Sequence, residues 1–313
     1  MVPADAGVLL SALVSLPIAA GVLVLVRLYR LYRRLPLRRW YESVWLFRSA
    51  LALLAVYAAV LVWGVAFESR SPELTRLEIP VRGGVLGRER FRILHLTDLH
   101  LGRRTGTLER RMIELAGEAK PDLILLTGDY MDTRDASYSL KEVVDALVAL
   151  KPAHGIWAVG GPVDEKFVTR EILERAGVEW LEDETRVIEG PGGKALRLAG
   201  QGAWPLVPFA DLFEGLDGDT PTILLRHGPD GLEETLGGRK SARVDLALCG
   251  HTHGGQIRLP LRGALVRAEG GRDRGLHELA GVPVYINRGI GTTGIPMRLG
   301  SLPEVALIEL VAK

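Results

Sequence analysis

Two histidines, His251 and His253, stand two positions apart in a loop that is bounded by glycines, at residues 250–256. The loop follows an apolar run at 244–249, whose length and composition predict a buried strand. Glycine lets the backbone bend and approach a ligand closely, and neutral imidazole is the commonest transition-metal ligand. A lone pair of this kind is equally well explained as a polar surface turn, so the interpretation depends on the rest of the chain.

Four further candidate ligands also follow predicted strands. Asp98 and His100 come after one apolar run, Asp129 comes after the next, and His227 comes after a third. In open α/β sheets, ligands bind outside the carboxyl ends of the strands. The histidines and aspartates are therefore predicted to meet in one cleft.

The mixture of imidazole and carboxylate ligands indicates the kind of metal. Such mixtures suit Mn, Fe, Zn or Co better than Ca or Mg. Six ligands are too many for one four-coordinate site with an open position. They fit two divalent transition-metal ions that share a carboxylate, with manganese favoured over iron and zinc. Two such ions activate a water molecule and stabilise the oxygens of a phosphate group during in-line attack.

The complete pattern resembles that of the calcineurin-like metallophosphoesterases. Its parts are Asp-x-His at 98–100, Gly-Asp at 128–129, a lone histidine at 227 and Gly-His-x-His at 250–253. The resemblance covers residues 92–310 and implies an α/β fold, a four-layer α/β/β/α sandwich of two sheets between helices. It also implies two metal sites with a shared carboxylate: Asp98, His100 and His253 for one ion, His227 and His251 for the other, and Asp129 between them.

Longer stretches are similar to one branch of this family. They read Leu-Thr-Asp-Leu-His-Leu-Gly at 96–102, Gly-His-Thr-His-Gly-Gly-Gln at 250–256 and Asn-Arg-Gly-Ile-Gly at 287–291. The branch contains membrane-associated bacterial enzymes that resemble the UDP-2,3-diacylglucosamine pyrophosphatase of lipid A biosynthesis. The resemblance implies hydrolysis of a phosphodiester or pyrophosphate bond in a phosphorylated, lipid-linked substrate by metal-activated water.

One motif of the family is altered. The family reads Gly-Asn-His-Asp after the third strand, whereas residues 161–164 read Gly-Pro-Val-Asp. By the resemblance, the Asn is a ligand of the second ion and the His assists the leaving group, but Pro162 and Val163 can do neither. Loss of a general acid typically lowers the rate by about 10²–10⁴-fold. Three outcomes stay open: a slow enzyme, an enzyme whose leaving group needs no acid, or a membrane-tethered pseudoenzyme that binds phosphorylated headgroups or a protein partner.

Several further residues are candidate auxiliaries. Asp164 and its neighbour Glu165 are candidate replacements for the missing ligand, because both adjoin the altered motif. Arg288 follows a predicted strand, and an arginine fork binds phosphate through two hydrogen bonds. Arg226 and Arg298 have similar positions, and a solvated charge is the commoner explanation for each of the three arginines.

Two uncharged apolar runs lie near the N-terminus, at residues 7–26 and 49–67. Each is long enough to cross a hydrocarbon core of about 30 Å as a helix. Residues 1–68 are therefore predicted to form a transmembrane helical hairpin, followed by a linker at 69–90 and the metallophosphoesterase domain at 91–313. A signal peptide fits the first run poorly, because no basic segment precedes it. A buried hairpin in a soluble protein is the other alternative.

Basic residues concentrate in the predicted hairpin. Residues 1–48 contain seven arginines and two acidic residues, although the whole chain has a net charge of only +1. Basic loops stay in the cytoplasm, and tyrosine and tryptophan favour the membrane interface. This predicts a multi-pass cell-membrane protein with an extracytoplasmic domain, although arginines after the second run weaken the asymmetry. The negative balance of the remaining residues is not typical of a nucleic-acid-binding protein.

Overall fold

The computed structural model contains two compact units. The first comprises Met1–Phe67 with Thr293–Met297, and the second comprises Glu68–Thr292 with Arg298–Lys313. The residues that the structure describes are 5–33, 40–81, 90–190, 194–203, 209, 211–213, 219–237 and 244–312. The predicted basic loop at 34–39 and the stretch 82–89 of the predicted linker lie outside the described residues.

The first unit contains two long helices, α1 (Asp5–Tyr32) and α2 (Trp40–Ala66). Many of their apolar side chains are exposed, which is the opposite of what a core helix of a soluble protein requires. Among the described residues, one segment is long and apolar enough to cross a membrane, Phe47–Arg70, with a mean hydropathy of 2.4. The hairpin of two transmembrane helices therefore stays a prediction.

The second unit is built on two six-stranded sheets. In spatial order the strands of the first sheet are Glu73–Val81 (β1), Glu304–Ala312 (β14), Arg90–Leu96 (β2), Leu123–Thr127 (β3), Ile156–Val159 (β4) and Glu179–Trp180 (β5). The central strands β2 to β5 are parallel, β14 runs antiparallel to β2, and β1 runs parallel to β14.

The second sheet also has a parallel centre, with one antiparallel strand at each edge. Its strands in spatial order are Gly275–Leu279 (β12), Val282–Ile286 (β13), Leu246–Cys249 (β9), Thr222–Arg226 (β8), Ala195–Gln201 (β7) and Glu184–Glu189 (β6). A small hairpin, β10 (Arg258–Leu259) and β11 (Gly263–Ala264), follows β9.

Apolar side chains hold the layers together on both faces of the central strands. In β3, Leu123 and Leu125 contribute to the core between the two sheets, whereas Ile124 and Leu126 face a core shared with helices. This alternation follows from the two-residue period of a strand, and burial on both faces is typical of parallel sheets. The helices that supply the outer residues of the first sheet are Thr107–Ala119 (α3), Ser137–Val148 (α4) and Thr169–Arg175 (α5).

A third core covers the other face of the second sheet, where Leu232–Leu236 (α6) packs. The order of layers is thus helix, sheet, sheet, helix, and the predicted mixed α/β fold is confirmed. Helix α5 begins at Thr169 and is preceded by a short 3-10 turn, Asp164–Lys166. Strand β1 lies within the predicted linker and forms an edge of the first sheet.

Backbone hydrogen bonds join the loops that follow the parallel strands. The Gly250 amide donates to the His227 carbonyl at 2.7 Å, which links the loops after β9 and β8. The Gly291 amide donates to the Asp98 carbonyl at 2.7 Å, which links a loop after β13 to the first sheet. The carboxyl ends of strands from both sheets therefore meet along one edge, where the candidate ligands lie.

Candidate metal centre

The structure brings all six predicted ligands together. Each follows a parallel strand, and their ligand atoms form two groups in which all the atoms lie within 4.8 Å of one another. In one group, Asp98 Oδ1 is 3.5 Å from His253 Nε2 and 3.9 Å from His100 Nε2. All three residues are buried, so a cation among them would be shielded from solvent.

The other group consists of Asp129, His227 and His251. His227 Nε2 lies 3.4 Å from Asp129 Oδ2 and 3.0 Å from His251 Nδ1. The same Asp129 oxygen is only 3.6 Å from His100 Nε2, which belongs to the first group. Asp129 therefore occupies the position of a shared carboxylate between two neighbouring ligand sets.

The ligand atoms of the first group are suited to bind a cation. Asp98 Oδ1 and His100 Nε2 are buried and have no hydrogen-bond partner among the described residues. A buried polar atom without a partner costs about 1–3 kcal/mol. A divalent ion bound to both atoms would remove this cost, because a carboxylate oxygen and an imidazole nitrogen are both ordinary metal ligands.

Neighbouring acceptors orient two of the imidazoles. His100 Nδ1 lies 2.6 Å from Asp132 Oδ1, and His227 Nδ1 lies 2.8 Å from the Thr127 carbonyl oxygen. A carboxylate or a carbonyl oxygen accepts a hydrogen, so each Nδ1 carries the proton and donates it. Metal-binding histidines are commonly held in this way. The Nε2 atoms are left to face the two ligand groups.

Backbone conformation singles out the same residues. Five of the six ligands have a positive φ: Asp98 (49°), His100 (43°), Asp129 (55°), His251 (72°) and His253 (51°). A side chain other than glycine in this region costs of order 1–3 kcal/mol, and such strain concentrates at functional sites. The strain is found here at residues whose side chains form the two ligand groups.

Glycines make room for these ligands. A Cβ atom at Gly250 would overlap Asp98 Oδ2, and one at Gly161 would overlap Asp129 Oδ1. At Gly291 a Cβ would lie 2.6 Å from the Cβ of His100. Close approach of neighbouring atoms therefore requires glycine at these three positions.

The charges in the second group are strongly linked. Burial lowers the pKa of His227. The hydrogen bond with Asp129 and the negative charge of Asp129 raise it by a larger amount, so that the pKa is about 9. Burial raises the pKa of Asp129, but His227 lowers it to about 2. Burial lowers the pKa of His253, and His100 and Arg298 lower it further. A metal-free chain at neutral pH thus holds a carboxylate–imidazolium pair, Asp129 with His227, and a neutral His253.

Metal uptake is therefore expected to release a proton from His227. The proton and the metal ion compete for Nε2, so the apparent affinity should increase with pH up to about 9, by at most about tenfold per pH unit. Calorimetric titration of the metal-free protein with Mn²⁺, between about pH 6.5 and 8.5 and in buffers of different ionisation enthalpy, measures both effects. His277→Ala, remote in sequence from the ligand motifs, is the control. Affinity independent of pH without proton release would contradict the prediction.

Asp164 is buried beside the loop that carries Asp129, and its carboxylate accepts three backbone hydrogen bonds. Oδ2 accepts from the amides of Asp129 and Gly161, at 2.8 and 2.7 Å, and Oδ1 accepts from the Tyr130 amide at 2.9 Å. Both oxygens are thus engaged in joining the loops after β3 and β4. The neighbouring Glu165 is exposed and belongs to neither ligand group among the described residues.

Asp164→Ala is expected to destabilise the fold and to lower the metal content. It leaves three amides without their acceptor, at about 1–3 kcal/mol for each one that water does not reach. It also frees the backbone of Asp129. Thermal unfolding of the full chain, together with metal analysis, measures the two effects, and Glu165→Ala is the matched control. Wild-type stability and metal content in Asp164→Ala would contradict the assigned role.

The three candidate arginines have different surroundings. The guanidinium of Arg288 contacts the carboxylates of Glu73 and Glu304, which neutralise it. Arg226 donates to the Asp230 carbonyl at 2.8 Å. Arg298 is completely buried (0% exposed), so its interpretation as a solvated charge is wrong.

Arg298 joins separate loops of the second unit through hydrogen bonds. Its guanidinium donates to the carbonyl oxygens of Gly289 and Ser301, both at 3.1 Å, and Nη2 lies 3.3 Å from His253 Nδ1. It therefore connects the loop of a predicted ligand with the loop after β13. The sequence contains no signal for this role, because the acceptors are mainly backbone carbonyls far apart in the chain. Asp132 was also missed, although its place three residues after Asp129 was available as a signal.

Comparisons with known proteins agree with this geometry. The family "Calcineurin-like phosphoesterase" matches residues 91–255. The chain is 30% identical over 262 residues to the uncharacterized metallophosphoesterase YkoQ of Bacillus subtilis, covering 77% of this chain and 92% of that protein. It is 35% identical over 237 residues to the phosphodiesterase YaeI of Escherichia coli, covering 71% of this chain and 82% of that protein.

A vertebrate relative has a longer chain. The transmembrane protein with metallophosphoesterase domain of Danio rerio is 28% identical over 290 residues, which cover 84% of this chain and 63% of that protein. The match to the family takes in all six candidate ligands together with the altered motif. From the matched family and the two bacterial relatives, we conclude that this chain belongs to the calcineurin-like phosphoesterases.

Proposed function

We propose that the chain is a dinuclear, metal-dependent hydrolase of phosphodiester or pyrophosphate bonds. The observation that carries this proposal is the position of Asp129 Oδ2, which lies within 3.6 Å of His100 Nε2 and 3.4 Å of His227 Nε2. One carboxylate oxygen is thus within reach of both ligand sets. Manganese is the metal that we favour, because the ligands combine imidazole nitrogen with carboxylate oxygen.

The residues of the chain have distinct parts in the proposed reaction. Asp98, His100 and His253 would hold one ion, His227 and His251 would hold the other, and Asp129 would be a ligand shared by the two sets. When bound, the two ions supply an activated water molecule and stabilise charge on the phosphate oxygens. His100 Nδ1 donates to Asp132 and His227 Nδ1 donates to the Thr127 carbonyl, and these hydrogen bonds would keep the Nε2 atoms directed toward the ions.

The altered motif limits the choice of substrate. Neither Pro162 nor Val163 has a side chain that can donate a proton, and the Val163 amide lies 3.2 Å from Asp129 Oδ1. A leaving group that departs without protonation is therefore preferred. The nucleoside monophosphate released from a pyrophosphate is such a group, which is consistent with a nucleotide-linked lipid of the UDP-2,3-diacylglucosamine type.

Anchoring in a membrane supports a lipid-linked substrate. The apolar segment Phe47–Arg70 precedes the domain, and only 6% of its most apolar part is buried. The relative from Danio rerio is named a transmembrane protein. We propose a multi-pass cell-membrane protein with its catalytic domain outside the cytoplasm, an orientation that would exclude a nucleotide-linked lipid of the cytosol as the substrate. Reporter fusions at the C-terminus test the orientation, and a cytoplasmic signal would reverse it.

Hydrolysis of bis-p-nitrophenyl phosphate tests the proposed function. The full chain in detergent, loaded in turn with Mn²⁺, Fe²⁺ and Zn²⁺, is expected to bind two ions and to hydrolyse the diester fastest with Mn²⁺. His253→Ala is expected to lose most of this activity. Equal background rates for the two proteins would favour the alternative, a tethered pseudoenzyme that binds phosphorylated headgroups.

A further inference from the structure

The hairpin formed by β10 and β11 projects from the loop that carries His251 and His253. It begins at Arg258, five residues after His253. At its base, Arg258 Nη1 donates to the Gly254 carbonyl at 2.9 Å and to Asp273 Oδ2 at 3.0 Å. Asp273 Oδ1 also accepts from the Ala268 amide at 2.9 Å. The base of the hairpin is thus hydrogen-bonded to the ligand loop.

The tip of this hairpin is apolar and exposed. Leu261 has a relative exposure of 111% and a positive φ of 68°. Seven large apolar side chains are exposed among the described residues of the second unit, and three of them, Leu259, Leu261 and Val266, lie within residues 259–266. A leucine in a left-handed turn, presented entirely to water, stabilises neither the hairpin nor the core. Clusters of exposed apolar side chains mark surfaces that contact another protein or a membrane.

Charge defines the chemistry of the surface that would cover this tip. Residues 257–268 contain three arginines and no acidic residue. Arg258 is paired with Asp273 at the base, whereas Arg262 and Arg267 are exposed beside the apolar tip. An apolar wedge flanked by arginines suits the boundary between acyl chains and anionic headgroups.

We propose that the tip of the hairpin, residues 259–262, inserts into the headgroup region of an anionic lipid bilayer. This inference rests on the proposed membrane anchoring and adds a second contact, made by the catalytic unit itself. Insertion would hold the loop of His251 and His253 beside the bilayer surface. The phosphate of a lipid-linked substrate could then reach the ligand groups while its acyl chains stay in the membrane.

A fluorescent label at the tip tests the proposal. Leu261→Cys is labelled with a polarity-sensitive fluorophore, since the native thiol of Cys249 is buried. The labelled full chain is reconstituted into vesicles of phosphatidylcholine, with and without about one third phosphatidylglycerol. We expect a blue shift and quenching by spin-labelled lipids in the anionic vesicles. Emission typical of water, and quenching by aqueous iodide in both vesicles, would overturn the proposal.

Matched variants separate insertion from mere proximity to the membrane. Tyr138→Cys, whose parent side chain is 74% exposed on α4, is expected to stay accessible to iodide. Adding Arg262→Glu and Arg267→Glu to Leu261→Cys is expected to weaken quenching by lipid at least about threefold, whereas the corresponding lysine variants keep it. Equal quenching by lipid at positions 138 and 261 would overturn the proposal.

Hydrolysis of soluble bis-p-nitrophenyl phosphate by the same proteins keeps the two proposals apart. We expect wild-type rates from the labelled Leu261→Cys protein, because the tip does not touch the ligand groups. A tip that inserts in a chain without activity would contradict the proposed function alone. A tip that stays in water in an active chain would contradict the insertion alone.

Discussion

Replacing Pro162 by Asn together with Val163 by His is expected to raise the rate of diester hydrolysis by about 10²–10⁴-fold. The backbone at this position already lies beside the second ligand group, since the Val163 amide is 3.2 Å from Asp129 Oδ1. The new amide oxygen would complete the second metal site. The new imidazole would supply the proton that a poor leaving group needs.

The choice of leaving group makes this prediction specific. Steady-state kinetics with Mn²⁺ should be compared for bis-p-nitrophenyl phosphate and diphenyl phosphate. The gain should be much larger for diphenyl phosphate, because phenoxide is more basic than p-nitrophenoxide and depends more on general acid catalysis. Pro162→Asn alone should tighten the binding of the second ion without this selectivity. Equal gains for both esters, or none, would mean that the altered motif does not limit the reaction.

Asp129→Asn is expected to abolish hydrolysis and to remove at least one bound ion. The substitution keeps the size of the side chain but removes the negative charge shared by the two ligand sets. We expect the rate to fall by at least about 10³-fold, more than the loss of a single electrostatic stabiliser usually costs. The measurements are metal analysis of the purified full chain and kinetics with bis-p-nitrophenyl phosphate.

Two controls define the result for Asp129. Asp135→Asn changes an exposed aspartate six residues further along the chain and should keep both activity and metal content. Circular dichroism should show that Asp129→Asn is folded, since the amide keeps the size of the side chain and its oxygen can still accept from the Val163 amide. Two bound ions and a rate within about tenfold of wild type would contradict the bridging role.

The predicted ligands illustrate how far the sequence reaches. Asp98, Asp129 and His227 each follow an apolar run, and strands of this kind are buried on both faces in a parallel sheet. The carboxyl ends of such strands share an edge, so local patterns were enough to predict that these side chains meet. The layered α/β fold follows from the same alternation of strands and helices.

The shortest strands and the hydrogen bonds of buried polar side chains could not be predicted from such local patterns. Strands β10 and β11 have two residues each, which is too short for any period to be recognised. The partners of Arg298 are likewise invisible in the sequence, because it donates mainly to backbone carbonyls, which every residue possesses. Its burial could be recognised only after the loops had been placed around it.

By itself the sequence determined which side chains can bind metal, which strands deliver them and which family pattern is broken at Pro162 and Val163. These properties depend on residue type and on spacing along one strand or loop, and both are local. The tertiary structure alone decided that Asp129 Oδ2 lies between the two ligand sets, that Asp164 fastens loops and that Leu261 is exposed. Such facts depend on distances between residues far apart in the chain, which only the packing of the two sheets sets.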